Sequence, residues 1–236
     1  MSASLKTPYL SRLSRTSLEG VRANLIPGFF LWGAGLAVVL VYYFVPAARD
    51  SFEWVIAKKE RYGFLYSGIS TAVFGGIIPF AYLRWKGKVP PGKVFSWGVF
   101  FIIYWSLRGI EVDALYRLQA WLFGEGTDWK TIVLKVSADQ FVYCPLWSAP
   151  LTAICYGWKN AGFSWRRLRP KLDREFFVMD IPGVLLSIWI VWIPAAAIVY
   201  SLPLGLQIPL FNLVLCFFVL LVSMLSKDES RFQGEA

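Results

Sequence analysis

The chain has 236 residues, of which 57% are hydrophobic and only 17% charged, and its mean hydropathy is +0.53. A water-soluble globular chain is about a quarter charged, so these residues are too apolar for a water-facing surface and too hydrophobic for a disordered chain. With no His at all and a net charge of +9, imidazole metal sites, Ser-His-Asp triads and His proton relays are excluded, and the positive balance reads first as a topology signal.

Residues 1–25 hold Lys6, Arg12, Arg15 and Arg22 against Glu19. They read as a basic tail rather than a transit or signal segment. Residues 26–45 carry no charge. At about 1.5 Å per residue they are long enough to cross a core of roughly 30 Å. Residues 47–61 mix both charge signs with Phe52, Trp54 and Ile56, and read as a loop with an interfacial helical turn. A second span is predicted over 62–83, with Gly63, Gly68, Gly75 and Gly76 allowing close helix approach. The basic turn 84–93 follows, carrying Pro90-Pro91-Gly92.

A third helix is predicted from 94 to about 123, apolar to residue 107 and polar beyond it, and ended by Gly124-Glu125-Gly126. A fourth runs over 129–158, with Lys135, Asp139 and Gln140 in its first half and Pro145 and Pro150 after them. Residues 159–178 form a long basic loop. The fifth and sixth spans are predicted over 181–202 and 207–226, and 227–236 is a C-terminal tail. The fold class is therefore all-α: a polytopic transmembrane bundle of about six spans, with 26–226 as one domain. Six spans put 16 Lys and Arg on the side of both termini and 7 on the other, which the positive-inside rule places in the cytoplasm. The four positive residues at 49–61 run against that assignment.

Two polar clusters fall inside predicted helices. Lys135 and Asp139 are four apart and share a face, with Gln140 beside them. An intramembrane ion pair faces other helices or water, so the pair either lines a path or locks packing. Arg108, Glu111, Asp113 and Tyr116 form the second cluster, either a helix end entering water or, with Glu111 and Asp113 opposite Asp139, the facing wall of the same path; Arg108 is placed to pair with Glu111 and Asp113 to bond a neighbouring helix. No nucleophile or metal ligand accompanies these carboxylates, so neither an enzyme activity nor a metal or cofactor is expected. Cys144, Cys155 and Cys216 lie in apolar stretches without a C-x-x-C and read as small buried residues. Prolines 145, 150, 182, 194, 203 and 209 suit kinked helices around a cavity as well as helix ends. Trp85, Trp97, Trp129, Trp158 and Trp165 stand near span ends, as an interfacial belt would. The basic loop 159–178 suits anionic lipid headgroups rather than nucleic acid.

Together these residues resemble the Mpv-seventeen family, which includes the twenty-two-kDa peroxisomal membrane protein. The run Lys135-x-x-x-Asp139-Gln140-x-x-x-x-Pro145 carries most of the likeness. Gly109, Asp113 and Tyr116 have comparable spacing. Trp189, Trp192 and Pro194, Leu202-Pro203, and Asn212 with Phe218 and Val222-Ser223 are similar to the family's C-terminal signature. Two positions depart from it: Gln207 replaces an Arg and Phe218 a Trp. The likeness covers about residues 60–226, so the first span looks like an addition to a four-helix core. It implies an integral membrane protein without cofactor: a weakly selective channel for small solutes, open to homo-oligomer formation. A bacterial inner membrane is expected, or a mitochondrial inner or peroxisomal membrane in a eukaryote. The alternative is a non-transporting scaffold or lipid-binding protein held by a Lys135–Asp139 lock.

Overall fold

A computed structural model describes residue 25 and residues 28–225. The basic N-terminal tail through residue 24, Ile26, Pro27 and residues 226–236 lie outside the described residues. All regular structure among the described residues is helical. The elements are α1 (Gly28–Phe44), α2 (Arg49–Thr71), α3 (Ile78–Trp85), α4 (Val94–Phe123), α5 (Trp129–Ala138), α6 (Ala149–Asn160), α7 (Trp165–Leu168), α8 (Ile181–Tyr200) and α9 (Leu204–Leu225). Three π-helical stretches join some of them: Ala72–Ile77 between α2 and α3, Asp139–Ser148 between α5 and α6, and Phe176–Asp180 before α8.

A proline follows or interrupts each π stretch: Pro79, Pro145 with Pro150, and Pro182. Proline has no N–H and cannot serve the carbonyl four residues back. The next N–H along the chain can, and that is the wider i→i+5 geometry of a π turn. The chain therefore stays helical through Pro79 and Pro145, whereas the segment that holds Pro182 bends by 60° between Gly183 and Ile188.

Residues 47–61 differ from the expected loop. They are helical and continuous with the second segment, except at Gly63, where φ is 50° and ψ is −126°. Only glycine adopts that region readily, so α2 breaks there. Lys59, just before the break, is turned into the protein. The boundaries of α4 match the sequence reading, since Pro91 sits in the single turn that starts it and Gly124 ends it. At the start of α5, Asp128 caps the backbone N–H groups of Lys130 and Thr131 at 3.1 and 3.3 Å. The Thr131 hydroxyl and N–H hold that exposed carboxyl below the usual range.

The contacts fix how the segments run. Along α2 and α3, Lys59, Gly68, Gly76 and Phe80 meet Asp113, Ser106, Phe101 and Gly98 in turn, so α4 is antiparallel to them. Tyr104, Arg108 and Glu111 then meet Thr152, Ser148 and Tyr143, which makes α5–α6 antiparallel to α4. Ile56, Thr71 and Gly75 meet Gly205, Asn212 and Leu215, so α9 runs parallel to α2. On α8 and α9, α1 lies with Trp32 Nε1 donating to the Val191 carbonyl at 3.0 Å and Tyr43 to that of Ser201 at 2.8 Å. Gly35 of the Gly33-Ala34-Gly35 string packs on Ile198, whereas Gly33 has open space.

The main core is built from α1, α8 and α9 with Tyr116 and Val136. A second, aromatic core at the other end stacks Phe100, Phe101 and Tyr104 with Phe80, Tyr156 and Phe163. Outward faces between the ends are apolar and exposed, for example at Leu65, Ile69, Ile103, Leu107, Leu146 and Phe217. Exposed tryptophans mark both ends, and lysines lie on several of them: Lys86 on Trp85 at one, and Lys58 on Trp54 and Lys130 on Trp129 at the other.

One helical stretch, Pro46–Trp85, is long and apolar enough to cross a membrane. A second qualifies if Phe176–Gly183 and Ile188–Tyr200, bent by 60°, count as one span. Helix α4 has the length but carries Arg108, Glu111, Asp113 and Arg117 in its second half.

Candidate functional site

The predicted site residues fall into three places. The first is a charged knot between α2 and α4. Asp113 is fully buried and accepts three hydrogen bonds: from Lys59 Nζ at 2.6 Å, Ser67 Oγ at 2.7 Å and Arg117 Nε at 3.1 Å. Lys59 is itself only 2% exposed. Gly109, one turn before Asp113, lets the two helices meet: a Cβ there would stand 2.3 Å from the Ser67 carbonyl oxygen. Further along the same seam, Thr71 donates to Asn212 at 2.8 Å and Asn212 to Ser70 at 2.9 Å. Asn212 thus ties α9 to α2.

The second place joins α4 to the Asp139–Ser148 stretch. Arg108 Nη1 donates to both oxygens of Glu111 at 2.7 and 2.8 Å, and Nη2 to Ser148 at 2.6 Å. Glu111 also accepts from the Tyr143 hydroxyl and from Trp147 Nε1 at 2.8 Å. Its carboxylate is thereby spent on structure.

The third place surrounds Asp139. Tyr200 donates to Asp139 Oδ2 at 2.9 Å, and Cys144 Sγ lies 3.6 Å from Oδ1. Tyr116, 4% exposed, packs edge-on against Tyr200 with ring centres 5.2 Å apart. The side-chain amide of Gln119 lies beside Tyr200.

Lys135 and Asp139 do not pair. Among the described residues Asp139 makes no salt bridge and the cation that acts on it is Arg108, while the acids that act on the Lys135 ammonium are Glu125 and Asp128. Helical side chains lean toward the N-terminus, so Lys135 reaches back to the loop and away from Asp139. A Lys four residues before an acid is also the weaker orientation of an i, i+4 pair, and the helix widens at Asp139. The Lys135–Asp139 lock is therefore replaced by Lys59–Asp113.

Between α4, the Asp139–Ser148 stretch, α8 and α9 lies a cavity of about 310 Å³. Arg108, Tyr116, Asp139, Gln140, Tyr143 and Cys144 line it, together with Trp189 and Trp192 of α8 and Phe211 and Phe218 of α9. Glu111, Asp113 and Lys135 are not among its lining residues, so the acids of α4 do not face Asp139 across a common path. Pro145 belongs to the wide stretch that carries the polar wall, Pro194 lies inside α8, and Pro203 closes the turn into α9. Gln207 bonds the Leu202 carbonyl at 3.0 Å in that turn, a local role that asks for no charge. The side chains of 222 and 223 lie outside the described residues.

Sequence reasoning missed Lys59, Ser67, Tyr143 and Tyr200. For the first two a signal exists: Lys59, Gly63, Ser67 and Thr71 recur every four residues, a polar and small stripe on one helical face. Tyr200 stands at a span end and has no such marker. Lys159 was counted as a topology charge. It is only 6% exposed, 3.7 Å above the Trp97 ring and within 5.4 Å of those of Phe101 and Tyr156. No family model, curated protein or solved structure matches the chain.

Proposed function

We propose that the chain is a polytopic integral membrane protein whose six helical segments cross a bilayer, and that it passes small solutes through the cavity between α4, α5–α6, α8 and α9. The observation that carries this reading is the cavity of about 310 Å³, which places Arg108, Asp139 and Gln140 within a bundle of apolar exterior. Polar side chains at membrane depth are costly and face other helices or water. Irregular helix geometry at that depth lines cavities for the same reason, and the polar wall sits on a π stretch of 10 residues. The similarity of the Asp139-Gln140-Pro145 run to the Mpv-seventeen family adds to the reading.

Purified protein in planar bilayers is expected to conduct above protein-free controls. Ala196→Phe, which projects a ring into the cavity from α8, is expected to lower conductance about tenfold or more with the bundle intact. Absence of conductance across voltages and redox conditions overturns the reading.

The crossings are tested separately. In oriented vesicles, a membrane-impermeant maleimide is expected to label Lys86→Cys and Arg166→Cys from one side and Glu125→Cys from the other. Labelling of all three from one side removes the six-crossing topology.

The basic loop favours a compatible lipid contact. Arg166, Arg167, Arg169, Lys171 and Arg174 are exposed, while Leu168 is buried and packs at Gly157, which anchors the loop. Such a cluster beside a membrane attracts anionic headgroups.

A further inference from the structure

Two charged groups share the cavity, and their charges are met differently. Arg108 is neutralised by both oxygens of Glu111 and held by Ser148. Asp139, 8% exposed, makes no salt bridge: its donors are the Tyr200 hydroxyl at 2.9 Å, the Cys144 thiol at 3.6 Å and the Gln140 amide, and Arg108 acts on it only at longer range. Each salt bridge of the buried polar network belongs to another carboxylate, Asp113 or Glu111. Next to Asp139, Gln140 is 3% exposed and keeps Oε1 without a hydrogen-bond partner. A buried carboxylate without a salt-bridge partner, beside a buried carbonyl oxygen without a donor, is a costly arrangement. What both oxygens lack is a positively charged group with several N–H donors, and a primary ammonium has three.

The rest of the lining fits the body of such a molecule. Trp189, Trp192, Phe211 and Phe218 add aromatic surface to the same cavity. Aromatic faces attract cations and also pack against apolar groups. The volume lies at the small end of ligand pockets, which start near 300 Å³. An inorganic anion or a carboxylate would meet Asp139 directly and would have to displace Glu111 to reach Arg108.

We infer that this cavity binds a protonated primary amine carrying an apolar body, its ammonium set against Asp139 and Gln140 and its body against the aromatic surface. The inference rests on reading the cavity as a solute site and names the class of solute. Charge and aromatic surface select together, so a neutral molecule of the same shape binds weakly.

Titration calorimetry on the full chain in maltoside micelles, with protein-free micelles as blank, tests it with three probes of similar shape. Near neutral pH, 2-phenylethylamine is expected to bind saturably and at least about tenfold more tightly than 2-phenylethanol. Phenylacetate is expected not to bind saturably. Asp139→Asn keeps the volume and is expected to bring the amine to the affinity of the alcohol, with unchanged elution volume and thermal midpoint. Equal affinities of amine and alcohol in the unmodified protein overturn the inference. So do preference for phenylacetate, no saturable amine binding, and a folded Asp139→Asn variant that keeps the preference. Where that variant does not fold, the ranking of probes on the unmodified protein decides alone. Conductance is read independently: a conducting protein without amine preference loses only this inference, and a non-conducting one that ranks the probes loses only the solute path.

Discussion

Asp113→Ala is expected to destabilise the folded protein by roughly 3–5 kcal/mol, the cost of stranding a buried charge. The variant leaves Lys59, 2% exposed, with no hydrogen-bonded carboxylate and removes the shorter of the two acceptors of Ser67. Lys59→Met is expected to cost far less, because Ser67 and Arg117 still hold Asp113 and Arg117 supplies the counter-charge. The double variant Asp113→Leu with Lys59→Met removes both charges and is expected to recover most of the loss. Unfolding in mixed micelles of maltoside and dodecyl sulfate measures all three. Equal losses for Asp113→Ala and Lys59→Met contradict the asymmetry.

The second large effect lies one turn away. Gly109→Ala would place a methyl 2.3 Å from the Ser67 carbonyl oxygen and 2.5 Å from Thr71 Oγ1. A side chain can rotate away from such a clash, but the Ser67 carbonyl belongs to the backbone of α2. The helices must therefore separate, which strains the Ser67–Asp113 bond and the Thr71–Asn212 bond together. A loss of about 3 kcal/mol is expected, at the upper end for added core volume. Gly33→Ala is the control, since nothing lies within 4 Å of its added methyl, and it is expected to be nearly neutral. The same unfolding assay compares them, and similar values for both variants would remove the seam as the point of closest contact.

How much of this was legible depended on whether the cause was local. The ends of α4 follow from Pro90-Pro91-Gly92 and Gly124-Glu125-Gly126, because proline and glycine act on the backbone where they stand. The Arg108–Glu111 pair follows from i, i+3 spacing. The partner of Asp113 does not. It comes from a segment whose mixed charges read as loop, and only Gly63 turns that segment into the bundle. The Lys135–Asp139 pair was over-read for a different reason: i, i+4 spacing fixes a shared face but not the direction in which the two side chains lean. The π stretches were illegible as such, since proline alone does not distinguish a kink from a wide turn. The cavity needed all of these together, because its walls come from four segments separated in sequence.

The buried pair also sets an order on assembly. Lys59 precedes Asp113 by 54 residues. At about 5–20 residues per second, the ammonium is made roughly 3–10 s before its carboxylate. During that interval a lysine without a counter-ion favours water over the bilayer interior. With the segments crossing a bilayer as proposed, the first half of α2 is expected to dock only after α4 is made, swinging inward about Gly63.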